Sequence, residues 1–133
     1  MTGAEIVGTL LRASASLTAV VPAERIKLGQ LPEGILLPAL LVRVVSLIDR
    51  QPLKRTGWVR SIGRISVTVR AASYREHVEI IGLLRECCAG WTGNLAGAER
   101  ISILTAGLGP DLLGPGNSFE QAQDFRVSFD AEI

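Results

Sequence analysis

The sequence predicts an α+β fold in which a mainly antiparallel β-sheet carries two helices on one face. Three observations lead to this prediction. Two segments have apolar residues at helical spacing and begin with a capping box, four segments have strand-like patterns, and these strands come in adjacent pairs. The resulting order is α-β-β-α-β-β, which favours hairpins over parallel crossovers. A chain of 133 residues can build one core, so we expect a single domain over residues 1–133.

Both predicted helices have a recognisable start and one apolar face. Thr2 and Glu5 have the T-x-x-E spacing of a capping box, and so do Ser73 and Glu76. The apolar face of the first helix comprises Ile6, Val7, Leu10 and Leu11. That of the second helix, predicted over 73–91, comprises Ile80, Ile81, Leu84, Cys87, Cys88 and Trp91.

The strand-like segments differ in how we expect them to be covered. Residues 39–48 are β-branched and nearly apolar on both faces, which predicts a central strand covered on both sides. The two helices can cover only one of these faces, so another subunit could cover the second. Residues 58–71 alternate after Gly63 but out of phase before it, which predicts a bulge near Gly63. A third strand is predicted over 100–106. The last strand alternates strictly, and one face comprises Phe125, Val127, Phe129, Ala131 and Ile133.

Charge is balanced overall but unevenly placed. The net charge is +1, from 14 basic and 13 acidic residues, so no strong field attracts DNA or an anionic membrane. Basic residues cluster between positions 43 and 70, where Asp49 is the only acid. They form either a weakly basic surface or ion pairs with Asp130 and Glu132 of the last strand. We favour ion pairing, because both segments are predicted strands of one sheet.

No segment indicates secretion or a membrane anchor. The N-terminal region lacks the basic stretch of a signal peptide, and no run of about 18 apolar residues occurs. The longest apolar run, 35–42, is interrupted by Pro38. Cys87 and Cys88 are adjacent in a helical pattern, where a disulfide is disfavoured, so we expect a reducing, cytosolic folding environment.

The residue types that carry catalysis are scarce. His77 is the only histidine, and one histidine with two adjacent cysteines cannot supply a zinc site. We expect His77 to be a packed or surface residue, and Cys87 and Cys88 to be core thiols. The glycines at 107–116 do not form a phosphate loop, because no G-K-[ST] sequence follows them. The sequence therefore predicts no enzyme, no cofactor and no metal.

A long glycine- and proline-rich loop is predicted between the last two strands, at 107–118. Hairpin loops usually have two to five residues, and longer ones are often functional. Leu108, Leu112 and Leu113 make this loop too apolar for a simple linker. Two interpretations stay open at this point: the leucines order on a partner, or they fold back over their own sheet edge.

The layout of the chain resembles the tail terminator (tail completion, head–tail joining) proteins of long-tailed phages and phage-like gene transfer agents. Four stretches carry the resemblance, in this order and spacing: ERIKLGQLPEG with LPALLVRVVS (24–46), ISVTVRAASYREHVEIIGLLRECC (65–88), GPDLLGPGN (109–117) and DFRVSFDAEI (124–133).

The resemblance implies a structural virion protein without catalytic activity. Such proteins form a ring, usually hexameric, that caps the head-proximal end of the tail tube, ends tube polymerisation and offers a docking face to the head connector or stopper protein. DNA passes through the lumen without specific binding, and the particle assembles in the host cytoplasm. On this basis we expect subunit, tube or connector contacts at Arg50, Lys54, Arg55, Leu108, Leu112 and Leu113.

An alternative function is a small ligand-binding or regulatory α+β domain in which residues 107–118 form a lid. This alternative requires a pocket lined by Trp58, Trp91 and the loop. It also requires that a small molecule change the tryptophan fluorescence.

Overall fold

The computed structural model describes residues 1–132 as three α-helices and a seven-stranded sheet, which confirms the α+β class. The helices are α1 (Gly3–Ala13), α2 (Ala15–Thr18) and α3 (Tyr74–Cys88). The strands are β1 (Ile26–Leu28), β2 (Ala39–Arg50), β3 (Trp58–Ala71), β4 (Thr92–Leu95), β5 (Ala98–Leu108), β6 (Leu112–Gly114) and β7 (Ser118–Glu132). Ile133, expected on the inner face of the last strand, lies outside the described residues.

The sheet has the order β1-β2-β3-β7-β5-β4, and β6 pairs with β7 on the side that β5 occupies farther along. All ladders are antiparallel except that between β1 and β2. The short elements α2, β1, β4 and β6 add to the predicted order. Thr2 and Ser73 cap α1 and α3 as predicted, because their side-chain oxygens accept hydrogen bonds from the amides of Glu5 and Glu76.

Both long helices pack on one face of the sheet, and the core lies between the two layers. On β7, Phe125, Val127 and Phe129 are buried against the helices, as the alternation predicts. Ile6 and Leu11 of α1 are also fully buried. Within residues 1–132 the other face of the sheet carries no helix, and we call it the open face. Its side chains are therefore available for contacts outside this domain.

The predicted bulge lies in a different strand. The odd-numbered residues of β3 are buried from Val59 to Ala71, so β3 keeps one phase and Gly63 is not a bulge. The register shift is in β2, between Val44 and Ser46. Ser61 and Gly63 occupy inward positions of β3. Because neither has an apolar side chain, the alternation of apolar residues in the sequence shifts before Gly63 although the strand itself does not.

The expectation that residues 39–48 form a covered central strand is wrong for its second half. The three-residue β1 pairs only with residues 40–42 of β2. From Val44 onward, β2 is an edge strand, and every residue from Arg43 to Arg50 is exposed. The apolar character of Val44, Val45, Leu47 and Ile48 therefore reflects a surface rather than a core.

Candidate interaction surfaces

Residues 107–118, which we call the arm, are ordered by their backbone. Leu112, Leu113 and Gly114 pair with residues 118–120 at the start of β7. The side-chain amides of Gln121 and Gln123 donate hydrogen bonds to the carbonyl oxygens of Gly109 (2.8 Å) and Gly107 (3.1 Å). The arm is therefore a short added strand and not a free loop.

Buried His77 on α3 contacts residues that hold the arm in place. Its Nδ1 lies 2.9 Å from the carbonyl oxygen of Tyr74, and its Nε2 lies 2.8 Å from Oε1 of Gln121. The same Nε2 is 3.4 Å from a carboxylate oxygen of Asp111 on the arm, and the Tyr74 hydroxyl donates to the other at 3.3 Å. These contacts connect α3 to the arm, and of the two positions that the sequence left open, packed or surface, His77 takes the packed one.

The arm leucines face outward although their backbone is held. Leu108, Leu112 and Leu113 are 48%, 55% and 75% exposed. Folding back over the sheet edge was one of the two interpretations of these residues, and the arm does pair with that edge. The leucine side chains nevertheless remain in solvent, which leaves an apolar patch available for a partner.

The arginines of β3 form ion pairs across the open face. Arg60 pairs with Asp130 (3.2 Å), Arg64 with Asp124 (2.8 Å) and Arg70 with Glu120 (2.5 Å). The favoured interpretation of the basic cluster is thus confirmed for these three residues, although Asp124 and Glu120 were not among the predicted partners. Arg100 also binds Asp130 at 2.5 Å. Hydrogen bonds from Arg100, and then from Arg60, lower the pKa of Asp130.

A cleft of about 300 Å³ lies on the open face beside these ion pairs, and we call it the arginine cleft. Its lining residues come from four strands, and they are Ser46, Ile48, Arg50, Ile62, Gly63, Arg64, Ala106 and Arg126. The floor is apolar and the rim is basic. Such a surface can hold a segment that carries both a carboxylate and an apolar side chain.

The structure separates the six predicted contact residues into two places. Arg50 lines the arginine cleft at the end of β2, and Lys54 and Arg55 are exposed in the turn that follows. The three leucines lie on the arm, beside β7 on its β5 side. The two groups are thus on opposite edges of one sheet. The sequence did not indicate Ile48, Ile62 and Arg126 as cleft residues.

The two cysteines are core residues with unequal thiols. Cys88 is buried and Cys87 is partly buried, with its Sγ 3.4 Å from the carbonyl oxygen of Leu10. The hydrogen bond with Cys88 lowers the pKa of Cys87 to about 7. The same hydrogen bond, together with burial, raises the pKa of Cys88.

Features that would indicate other functions are not found in the part of the chain that the structure describes. No group of three or more His, Cys, Asp or Glu side chains is placed to hold a metal ion within residues 1–132. No helix there has the length and apolar character needed to cross a membrane. Neither Trp58 nor Trp91 lines any of four clefts on the surface of residues 1–132, so none of these four is the pocket that the lid hypothesis requires.

Comparison with solved structures finds chains that share this fold. No family model matches the chain, and no curated protein does. The fold is similar to that of a chain in the virion of a native gene transfer agent (GTA) particle, with a TM-score of 0.68 and 16% sequence identity. The match covers 94% of this chain and 92% of that chain. At this identity the likeness establishes a shared fold over nearly the whole length.

Proposed function

We propose that the protein is a structural component of a phage or gene transfer agent virion, with the role of a tail terminator. In this role, about six copies close into a ring on the head-proximal end of the tail tube. The ring ends tube polymerisation and presents a face to the head connector or stopper protein. It acts without catalysis or a cofactor.

The observation that carries the proposal is the arm. A backbone fixed by a strand ladder and two glutamine amides presents three exposed leucines, an arrangement that favours contact with another protein. The chain that shares this fold belongs to a GTA virion. Together these observations support an assembly role in such a particle more than a soluble regulatory role.

The charge distribution is consistent with passage of DNA through a lumen. All three arginines of β3 are neutralised by carboxylates of β7, and the net charge is +1. Each phosphate that a protein neutralises adds affinity for DNA. A ring built from these copies would therefore let DNA slide without holding it, in a particle assembled in the host cytoplasm.

The arm can be tested without disturbing its backbone. Deleting residues 108–116 would also remove the β6–β7 pairs, so the double substitution Leu112→Ser with Leu113→Ser is the sharper change. We expect this variant to fold normally but to bind tail-tube protein or its own copies at least about tenfold more weakly, since two exposed apolar anchors are lost. The measurement is tube length by electron microscopy and tube binding by co-sedimentation, with the variant compared with wild type.

The matched control is Val78→Ser, which removes an exposed apolar side chain from the helix layer. The control should terminate tubes as wild type does. Tubes of normal length with the double variant, or wild-type protein that never limits tube length, would contradict the proposed function.

A further inference from the structure

The open face carries an unusual set of like-charged neighbours. In the strand ladders, Arg50 lies directly opposite Arg60, and Arg64 lies directly opposite Arg126. Like charges at opposed positions destabilise a sheet. Asp130 and Asp124 compensate Arg60 and Arg64, but within residues 1–132 no carboxylate pairs with Arg50 or Arg126. The arginine cleft thus has two guanidinium groups that an external carboxylate could bind.

Between these arginines lies apolar surface beside a free strand edge. Ile48 is 64% exposed and, with Ile62, forms part of the cleft floor. From Val44 onward, β2 has no strand neighbour on its outer side among the described residues. Unpaired backbone groups of an edge strand can accept a further strand. The cleft therefore fits an extended segment that combines a carboxylate with apolar side chains.

The arm of the same chain has this composition. Asp111 precedes Leu112 and Leu113, and its side chain is 53% exposed despite its contacts with His77 and Tyr74. Strand β6 pairs only with β7 in the described part of the chain, so its other edge is free. Strands β7 and β3 lie between β6 and the outer edge of β2. Strand β6 can therefore line that edge only in a second copy.

We propose that the arm of one copy docks in the arginine cleft of the next copy. With β6 along the outer edge of β2, Asp111 and Leu113 lie on one face of the added strand, because side chains alternate along a strand. Leu113 covers Ile48, and Asp111 binds the guanidinium of Arg50. This proposal rests on the proposed function, because it supplies the subunit contact of the ring.

The geometry of this contact determines what it can build. Two different surfaces meet, so the contact is heterologous and leaves one free arm and one free cleft in every open chain of subunits. Such a chain ends only by closing on itself. A ring follows when the rotation between neighbours closes.

Nucleic acid is the other occupant that basic residues suggest. Phosphates would bind Arg50 and Arg126 equally well, but they would leave the isoleucine floor uncovered and would meet the carboxylates of Asp124 and Asp130 nearby. An acidic and apolar protein segment satisfies both parts of the cleft, so the observations favour it.

The test mixes two complementary variants of the full chain. The cleft variant is Arg50→Glu, and the arm variant is Leu112→Ser with Leu113→Ser. Native mass spectrometry is recorded from about 1 µM to about 1 mM protein, and circular dichroism verifies the fold. We expect wild type to associate with rising concentration and each variant to associate at least about tenfold more weakly. The charge-matched control Arg75→Glu on α3 should behave like wild type.

The equimolar mixture gives the decisive result. The cleft variant has an intact arm and the arm variant an intact cleft, so the two should form a 1:1 heterodimer and nothing larger. Absence of a heterodimer, wild-type association by Arg50→Glu, or a monomeric wild type at every concentration would overturn the proposal. So would loss of binding to a DNA column by Arg50→Glu with self-association unchanged.

These outcomes are separable from those of the proposed function. If the two variants form the heterodimer but wild-type protein neither binds tail tubes nor limits their length, the tail role is refuted and the arm–cleft contact stands. Normal termination of tubes by the Arg50→Glu variant would refute the arm–cleft contact and leave the tail role standing.

Discussion

His77 is buried, but its contacts help to position the exposed arm. Its ring is fully buried and contacts Tyr74 and Gln121, while Asp111 of the arm lies 3.4 Å away. These contacts give His77 a structural role, so its substitution should affect stability first.

We expect His77→Ala to lower the free energy of unfolding by about 2–4 kcal/mol, from lost packing and an unpaired Gln121 carbonyl. Urea unfolding measures this loss, and His77→Gln, which can keep one hydrogen bond, should lose less. A His77→Ala protein that is as stable as wild type but cannot limit tube length would instead assign His77 a direct functional role.

Side-chain contacts of single residues were predictable from the sequence only where they are local. The capping roles of Thr2 and Ser73 were predictable because both partners lie within three residues. The amides of Gln121 and Gln123 reach residues 12 and 16 positions away in sequence. No local spacing encodes such contacts, so the support of the arm could not be predicted.

At the scale of elements, the sequence predicted the helices and strands that have one apolar face, but it did not predict which strand lies at the edge of the sheet. Strand β7 was predicted because one face of it is buried along its length, and the two long helices because each has one apolar face. The exposure of β2 depends on β1 being only three residues long, and an apolar edge strand has the same sequence pattern as an apolar central strand. The bulge at Val45 was misplaced because Ser61 and Gly63 face inward without apolar side chains.

The arm as an element depends on glycine at position 114. A Cβ there would lie 2.6 Å from both Oε1 of Glu120 and Oγ of Ser118. Glu120 is held by Arg70 and cannot move away freely. We expect Gly114→Ala to destabilise the protein by about 1–2 kcal/mol through displaced β6–β7 pairing, and to weaken self-association.

A second glycine-to-alanine change provides the comparison for this prediction. A Cβ on Gly82 of α3 would have no neighbour within 4 Å, so Gly82→Ala should stabilise the protein by up to about 1 kcal/mol. Urea midpoints of the two variants should therefore move in opposite directions. Equal midpoints would show that the arm is not held by this ladder.

At the scale of the whole molecule, the sheet carries two different surfaces, the arm beside β7 and the arginine cleft, which crosses the open face from β2 to β5. The arm is apolar and acidic, the arginine cleft is apolar and basic, and the helix layer covers only one face. The sequence predicted this architecture in outline and the arm as a contact. It could not place the cleft, because the cleft residues come from four strands that only the fold brings together.

We infer that this chain works as a closed assembly on a tail tube. The decisive measurement is its molar mass by native mass spectrometry, recorded for the protein alone and after mixing with tail-tube protein. We predict a closed oligomer of about six copies, formed either alone at high concentration or on the tube. A protein that remains monomeric at every concentration and also in the presence of tubes would contradict the claim.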